Sequence, residues 1–507
     1  MGNQKRVEAD SLRAHLGAFS VVLAAGFMTL LDVSIVNVAL PSIETSLGAG
    51  PDQIQWIVAG YALTFGLSLV GAGKAGDIFG RRALFIIGVA GFVIASAGCG
   101  FATSAMMLIL MRLLQGLFAG VLNPQVLGII QDLYVGGVRA RAFGVFGIVV
   151  GVSTAIGPAL GGALIAMFGV EVGWRIVFLI NLPIGIAVLA FAFKLLPRKT
   201  DSGRLSLREW LEDFDPIGVS LLGLTVLGVM WPFLNSSAEA GRSEGGGQYW
   251  LLLVAAFGAL LLYLWEKFWY SRNHPVLLDP ALVHDRSFVL GSLTAFFYFA
   301  GFTSIFITLT LYLQQGLAWT PLQAGVAVVP FALVSGASSG VSGRLVNRFG
   351  RWVPVVGVII VVFGMLGMAA SAYFARGPEA PYLVLGSMAF AGIGSGLVIS
   401  PNQALTLDAV PKKEAGVAAA VLQTFQRLGA AIGLSVVTTV FFVGVSRFSE
   451  NSGAPRAYAV ALALSSLTIA GVLVLATVSN LIDATARRKD TRDIVAEAMA
   501  GSLGGKE

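Results

Sequence analysis

GKAGDIFGRR (residues 73–82) returns 270 residues later as GRLVNRFGRW (343–352). Gly73, Phe79, Gly80 and Arg81 match Gly343, Phe349, Gly350 and Arg351. A weaker echo, at an offset of 276, pairs Asp132 with Asp408 and Gly157 with Gly433. Each copy of the motif is a short basic stretch between two long apolar runs. The chain therefore reads as two copies of one larger unit.

The apolar runs say what that unit is. Hydrophobic residues make up 56 % of the 507 positions and charged residues only 12 %, about half the share in soluble domains, roughly 25 %. A chain this long with so few charges has an apolar outside, and lipid is the solvent that tolerates one. A membrane-crossing helix needs about 20 apolar residues. Fourteen such runs lie near 16–40, 53–72, 83–101, 105–130, 142–168, 176–196, 216–234, 249–266, 287–313, 320–341, 353–374, 382–407, 415–445 and 457–480. The expected fold is an all-α polytopic membrane protein of two six-helix bundles (1–196 and 287–483). Segment 197–286 carries connecting stretches and two inserted spans, expected to pack on the outside, and 484–507 is a tail, expected to be a short helix and then disorder. RLSLREWLEDF (204–214) has the apolar spacing of a helix lying in the interface.

Alternating loops differ in charge. Of the 33 Lys and Arg, 25 fall on the side of the N-terminus, 5 on the other side, and Arg112, Lys194 and Arg427 within spans. The positive-inside rule puts both termini in the cytoplasm. The basic residues are scattered over short loops, which does not suit a nucleic-acid surface. Cys99 is the lone cysteine, so there is no intrachain disulfide and no cysteine-based metal site.

Charged side chains inside lipid are costly and point to function. Asp32 lies nine residues before Pro41, about 14 Å from the end of its span. Arg112 is seven residues into the fourth span, about 10 Å deep from the same surface. The two are expected to face one cavity and interact, as a proton-handling site or as a static pair joining two helices. Arg427 is twelve residues into the thirteenth span, about 18 Å from the opposite surface. It suits substrate selection or a helix-break contact. No other carboxylate is securely mid-membrane, which disfavours a dicationic substrate.

The fifth span, GVFGIVVGVSTAIGPALGGALI, has small residues at spacings of four (Gly147 and Gly151, Gly157 and Gly161), which allow close helix approach. Pro158 is expected to bend it. Asp77 is expected at the start of the third span, pairing with Arg139 or Arg141 as a conformational latch; Asn347 replaces it in the second copy. An embedded enzyme is disfavoured: His15, His274 and His284 lie in or beside loops, there is no Walker A loop or HExxH, and GIGSGL (392–397) follows no strand.

These residues resemble the major facilitator superfamily, in particular its fourteen-span drug:proton antiporters of the EmrB/QacA type. LDVSIVNVALP (31–41), GKAGDIFGRR, RLLQGLFAG (112–120) and GPALGG (157–162) are similar to its first-span, loop, fourth-span and fifth-span motifs. The resemblance implies proton coupling through Asp32 and Arg112. It implies a latch of Gly73, Asp77, Gly80, Arg81, Arg139 and Arg141, and an antiporter motif of Gly157, Pro158, Gly161 and Gly162. The expected function is proton-driven export of lipophilic compounds across a bacterial inner membrane, by a single chain, with no cofactor beyond the proton gradient. An uncoupled facilitator and an exporter of an endogenous metabolite or lipid are the alternatives. Polar and aromatic residues in spans supply the expected cavity wall: Asn37, Trp56, Tyr61, Gln115, Asn123, Tyr298, Gln314, Asn402, Gln423 and Arg427.

Overall fold

The computed structural model describes residues 15–197, 214–239, 248–272, 284–408 and 415–504, with 274, 276, 282, 410 and 411 between them. Residues 204–213 of the expected interfacial helix lie outside these. Among the described residues every regular element is helical. In chain order they are α1 (Leu16–Leu47), α2 (Pro51–Phe79), α3 (Arg81–Gly100), α4 (Ala105–Leu133), α5 (Gly136–Leu179), α6 (Asn181–Leu195), α7 (Pro216–Glu239), α8 (Leu251–Ser271), α9 (Arg286–Leu311), α10 (Pro321–Ala327), α11 (Val329–Phe349), α12 (Trp352–Phe374), α13 (Ala380–Asp408), α14 (Ala415–Ser452) and α15 (Ala454–Gly504). A π turn, Tyr312–Gly316, follows α9.

Thirteen continuous helices among the described residues are long and apolar enough to cross a membrane. One of them, Gly136–Leu195, has 60 residues. At 1.5 Å per residue that is about 90 Å, three times the hydrocarbon thickness. It is divided at Gly169, whose φ of 77° and ψ of 170° are not helical. Two crossings result, giving the fourteen the hydropathy implies. Gly169 alone has non-helical dihedrals in α5; Pro158, expected to bend the helix, keeps helical φ and ψ.

Two other helix ends differ from expectation. α1 continues through Pro41 to Leu47 and stops at Gly48, in the left-handed region with φ 60°. Asp32 is therefore at the helix midpoint. The last helix runs to Gly504, where a short helix and then disorder were expected. ATARRKDTRDIVAEAMA (484–500) contains no glycine or proline and consists largely of good helix formers, so nothing stops it.

Packing repeats the sequence repeat. α1 packs on α5, and α9 on α14; α2 and α3 pack on α4, and α11 and α12 on α13. The two groups meet along α2 against α14 and α5 against α11. Glycines permit these approaches. A methyl on Gly157 would lie 2.5 Å from the Ser34 Cβ of α1, and its repeat mate Gly433 abuts the carbonyl of Ala300 in α9. Gly116 of α4 abuts the Tyr61 carbonyl of α2. The inserted pair is not merely peripheral. α7 packs on both α2 and α14, so it stands over one seam between the groups, while α8 rests on α7.

Gly116→Leu should lower the thermal unfolding temperature in detergent by several degrees, since overpacking costs about 1–3 kcal/mol. Gly386→Ala, with nothing within 4 Å of the new methyl, is the control and should unfold at or above the wild-type temperature.

Candidate functional site

Asp32 is 0 % exposed and carries three donors. Arg112 Nη1 donates to its Oδ2 at 2.7 Å; Gln115 Nε2 and Asn181 Nδ2 each donate to its Oδ1 at 2.9 Å. Arg112 is held in turn: Nη1 also donates to Gln115 Oε1 at 2.8 Å, Nε donates to the Ile57 carbonyl at 3.1 Å, and the guanidinium lies 4.1 Å from the Tyr61 ring centroid. Ser96 accepts from both amides and donates to the Phe178 carbonyl. Six helices, α1 to α6, thus meet at one carboxylate. Breaking such a pair by removing one partner typically costs 3–5 kcal/mol, because the other charge stays buried.

The expected pairing of Asp32 with Arg112 is present and direct. The expectation that both face one cavity is corrected: helices enclose them, leaving Asp32 and Arg112 buried. Gln115 and Tyr61, expected as cavity wall, belong to this cluster. Asn181 and Ser96 were missed. The signal for Asn181 was its place as the one amide in the run 176–196.

A second constellation lies at the end of the molecule that carries the basic loops. Asp77 ends α2 and does not start the third span. Its carboxylate accepts the first amides of α14, Gly416 N and Val417 N, each at 3.1 Å, and pairs with Arg81 at 2.8 Å. The first amides of a helix lack partners within it and favour a negative charge, so a carboxylate of one group caps a helix of the other. Arg139, expected on Asp77, instead pairs with Asp408 of α13 at 3.4 Å. Arg141 adjoins Gly343, where a methyl would lie 2.8 Å from its Cα. Arg81 also pairs with Asp132 at 2.5 Å. Gly73 lets the chains touch: its methyl would lie 2.6 Å from the Gly416 carbonyl. Gly80 (φ 95°) turns the chain between α2 and α3, which side chains tolerate poorly. The second copy repeats the arrangement. Gly343 abuts Ala140 and Arg141, and Asn347 donates to the Gly137 carbonyl at 3.4 Å. The neutral Asn347 makes a single long bond where Asp77 makes charged ones.

GPALGG connects the two constellations through α5. Gly157 and Gly161 lie on Ser34 and Ile35 of α1, within one turn of Asp32. On another face, Pro158 and Gly162 lie beside Gly325 and Leu322 of α10, and Gly151 lies beside Ala332 and Gly336 of α11. Of the remaining expected cavity residues, three are buried and bonded, two of them to a neighbouring helix. Tyr298 donates to Ser395 Oγ at 2.8 Å, Asn402 to the Gly291 carbonyl at 2.9 Å, and Asn123 to Ala119 of its own helix at 2.9 Å. Asn37 is exposed; Trp56 (edge-on to Trp231 of α7), Gln314 (in the π turn) and Arg427 are half-buried. Gln423 is buried, and its Nε2 has no partner.

Asp77→Ala should open the basic end. Charge-assisted hydrogen bonds contribute about 1.5–3 kcal/mol each, so losing them should speed maleimide labelling of Ala420→Cys, a buried position, by about tenfold or more in a Cys99→Ser background. Unchanged labelling would show that Asp77 does not hold the two groups together.

A family model described as the Major Facilitator Superfamily matches residues 22–434. The chain is 34 % identical over 448 residues to the probable actinorhodin transporter of Streptomyces coelicolor (87 % of this chain, 75 % of that one). It is 31 % identical over 432 residues to the tetracenomycin C resistance and export protein of Streptomyces glaucescens (85 % and 76 %). It is 32 % identical over 471 residues to the puromycin resistance protein pur8 of Streptomyces alboniger (90 % and 89 %). Among solved structures, the proton:xylose symporter XylE superposes with a TM-score of 0.61 at 16 % identity, covering 90 % of this chain and 94 % of that one, a likeness of fold. The family model spans most of the chain and the relatives align along most of their own length: the protein belongs to the major facilitator superfamily.

Proposed function

We propose that this transporter exports lipophilic, antibiotic-like compounds in exchange for protons, using no cofactor beyond the proton gradient. The observation that carries this reading is the Asp32 carboxylate, enclosed at the midpoint of α1 by Arg112, Gln115 and Asn181. A carboxylate so placed is expensive unless it does work. Export is favoured by the relatives' names, which speak of antibiotic resistance and export.

The basic end is assigned to the cytoplasm of a bacterial cell by the positive-inside rule. The conformation described is then closed toward the cytoplasm, held by Asp77 on α14 and Arg139 on Asp408. In the proposed cycle a proton reaches Asp32 from outside and cancels its charge. The Arg112 pair weakens and α1 is freed from α4. Because α1 and α5 touch at Gly157 and Gly161, the shift passes along α5 to its contacts with α10 and α11. The equilibrium moves toward a state open to the cytoplasm. Substrate binds there, and loss of the proton to the cytoplasm restores the ion pair and the outward-facing form.

The test uses acidified inverted vesicles and measures proton release on adding candidate compounds. Wild type should release protons and Asp32→Asn should not, because an amide at this position cannot titrate. Downhill uptake that is equal in wild type and Asp32→Asn would make this a facilitator, with Asp32 a structural partner of Arg112.

A further inference from the structure

Arg427 is the charge that the proton site does not use. It sits twelve residues into α14, about 18 Å from that helix's start. Among the described residues no carboxylate pairs with it and no acceptor receives its N–H groups; its guanidinium lies 4.1 Å from the Phe65 ring centroid. The ring face offsets part of the cost of burying the cation. It supplies no negative charge. Asp32 and Arg112 neutralise each other, so the middle of the membrane carries one positive charge in excess.

Two further donors near it lack partners. Gln423 precedes Arg427 by one turn and shares its face of α14; its Nε2 is buried and unbonded. The Tyr61 hydroxyl is also buried and unbonded. Its ring centroid is 5.9 Å from that of Phe65, and the hydroxyl lies within electrostatic range of Arg427. A guanidinium and two polar groups thus stand at the α2–α14 contact with no protein acceptor. Buried polar groups such as Tyr61 and Gln423 are normally bonded; among the described residues they and the half-buried Arg427 guanidinium lack an acceptor with negative charge. A lipophilic cation would meet the excess positive charge, and no second mid-depth carboxylate is there to receive it.

We infer that Arg427, Tyr61 and Gln423 bind an ionised oxygen (carboxylate, phenolate or enolate) on a lipophilic substrate, so that this transporter selects organic anions. The inference deepens the export reading by naming its substrate class. It makes Arg427 a specificity-determining residue, with Phe65 as the platform that holds its guanidinium.

The experiment measures binding to purified full-length protein in nanodiscs, with no gradient, by fluorescence polarisation. The probes are fluorescein, with an ionised phenol and carboxylate, and rhodamine 6G, a cation on the same tricyclic body. Fluorescein should bind saturably and rhodamine 6G should not displace it. Arg427→Gln should weaken fluorescein by about tenfold or more, the value of one charge-assisted hydrogen bond, and Arg427→Lys should restore part of the loss. Arg427→Gln should unfold at the wild-type temperature or higher, since it removes a charge without a counter-ion; a lower temperature with unchanged fluorescein affinity would make Arg427 a structural cation and overturn the inference. Absence of saturable fluorescein binding, or tighter binding of rhodamine 6G, would overturn it too. Arg427-dependent fluorescein binding without proton release in vesicles would uphold the site and sink antiport. Proton release driven by rhodamine 6G alone would do the reverse.

Discussion

The arrangement of the first six helices depends on one constraint: a carboxylate at the middle of a membrane helix must be surrounded by donors. An acidic side chain there costs about 2.5–3.5 kcal/mol on insertion scales. Hydrogen bonds to a charged group return about 1.5–3 kcal/mol each. Asp32 has three, from Arg112, Gln115 and Asn181, which come from two other helices. Each donor is itself fixed to a further helix, Arg112 through the Ile57 carbonyl and both amides through Ser96, which in turn donates to the Phe178 carbonyl. The bundle is therefore organised by the valence of one residue as much as by apolar packing. A proton added to that residue removes the reason for the arrangement, which is why a group buried this completely suits a switch.

At the basic end the two repeats make the same contact with different chemistry. Gly73 meets Gly416, and Gly343 meets Ala140. Asp77 caps α14 with a charge, whereas Asn347 reaches one carbonyl of α5. Charge is therefore placed differently on the two flanks: Asp77 lies in the motif itself on one, and on the other the ion pair is Arg139 with Asp408, outside the motif.

Hydropathy made the spans legible because lipid allows few alternatives to an apolar helix. It also ended the fifth span at 168, next to the break at Gly169, but it stopped the first at 40, because proline reads as an end where the helix in fact runs on to Leu47. The Asp32–Arg112 pair was legible from depth alone: two opposite charges at similar heights have little else to meet. Depth says nothing of which way a side chain points around its helix. For that reason Tyr298 and Asn402, expected at the cavity, turned out to fasten helices, Asn123 to bond its own helix, and Asn181 was overlooked. The partner of Asp77 was hidden for another reason. It is the backbone of Gly416 and Val417, and backbone amides leave no mark in a sequence.

The inserted pair breaks the symmetry in the plane of the membrane. α7 covers the seam between α2 and α14, anchored by Trp231 on Trp56 and by Met230 and Val226 beside Leu63 and Ala431. At the root of α8, Lys74 of the loop motif donates to the Val276 carbonyl, tying the insertion to the gate. Among the described residues the matching seam between α5 and α11 has no such cover; it holds a cavity of about 310 Å³ lined by Val152, Ile156, Ala159, Leu160, Val329, Ala332 and Leu333. Acyl chains can reach the boundary between the halves on that flank, while the other flank is walled off by protein. A machine with a two-fold core thus has a front and a back in the bilayer. Lipid composition and lateral pressure act on it from one side, and neighbouring proteins can crowd against α8 without touching the moving seam.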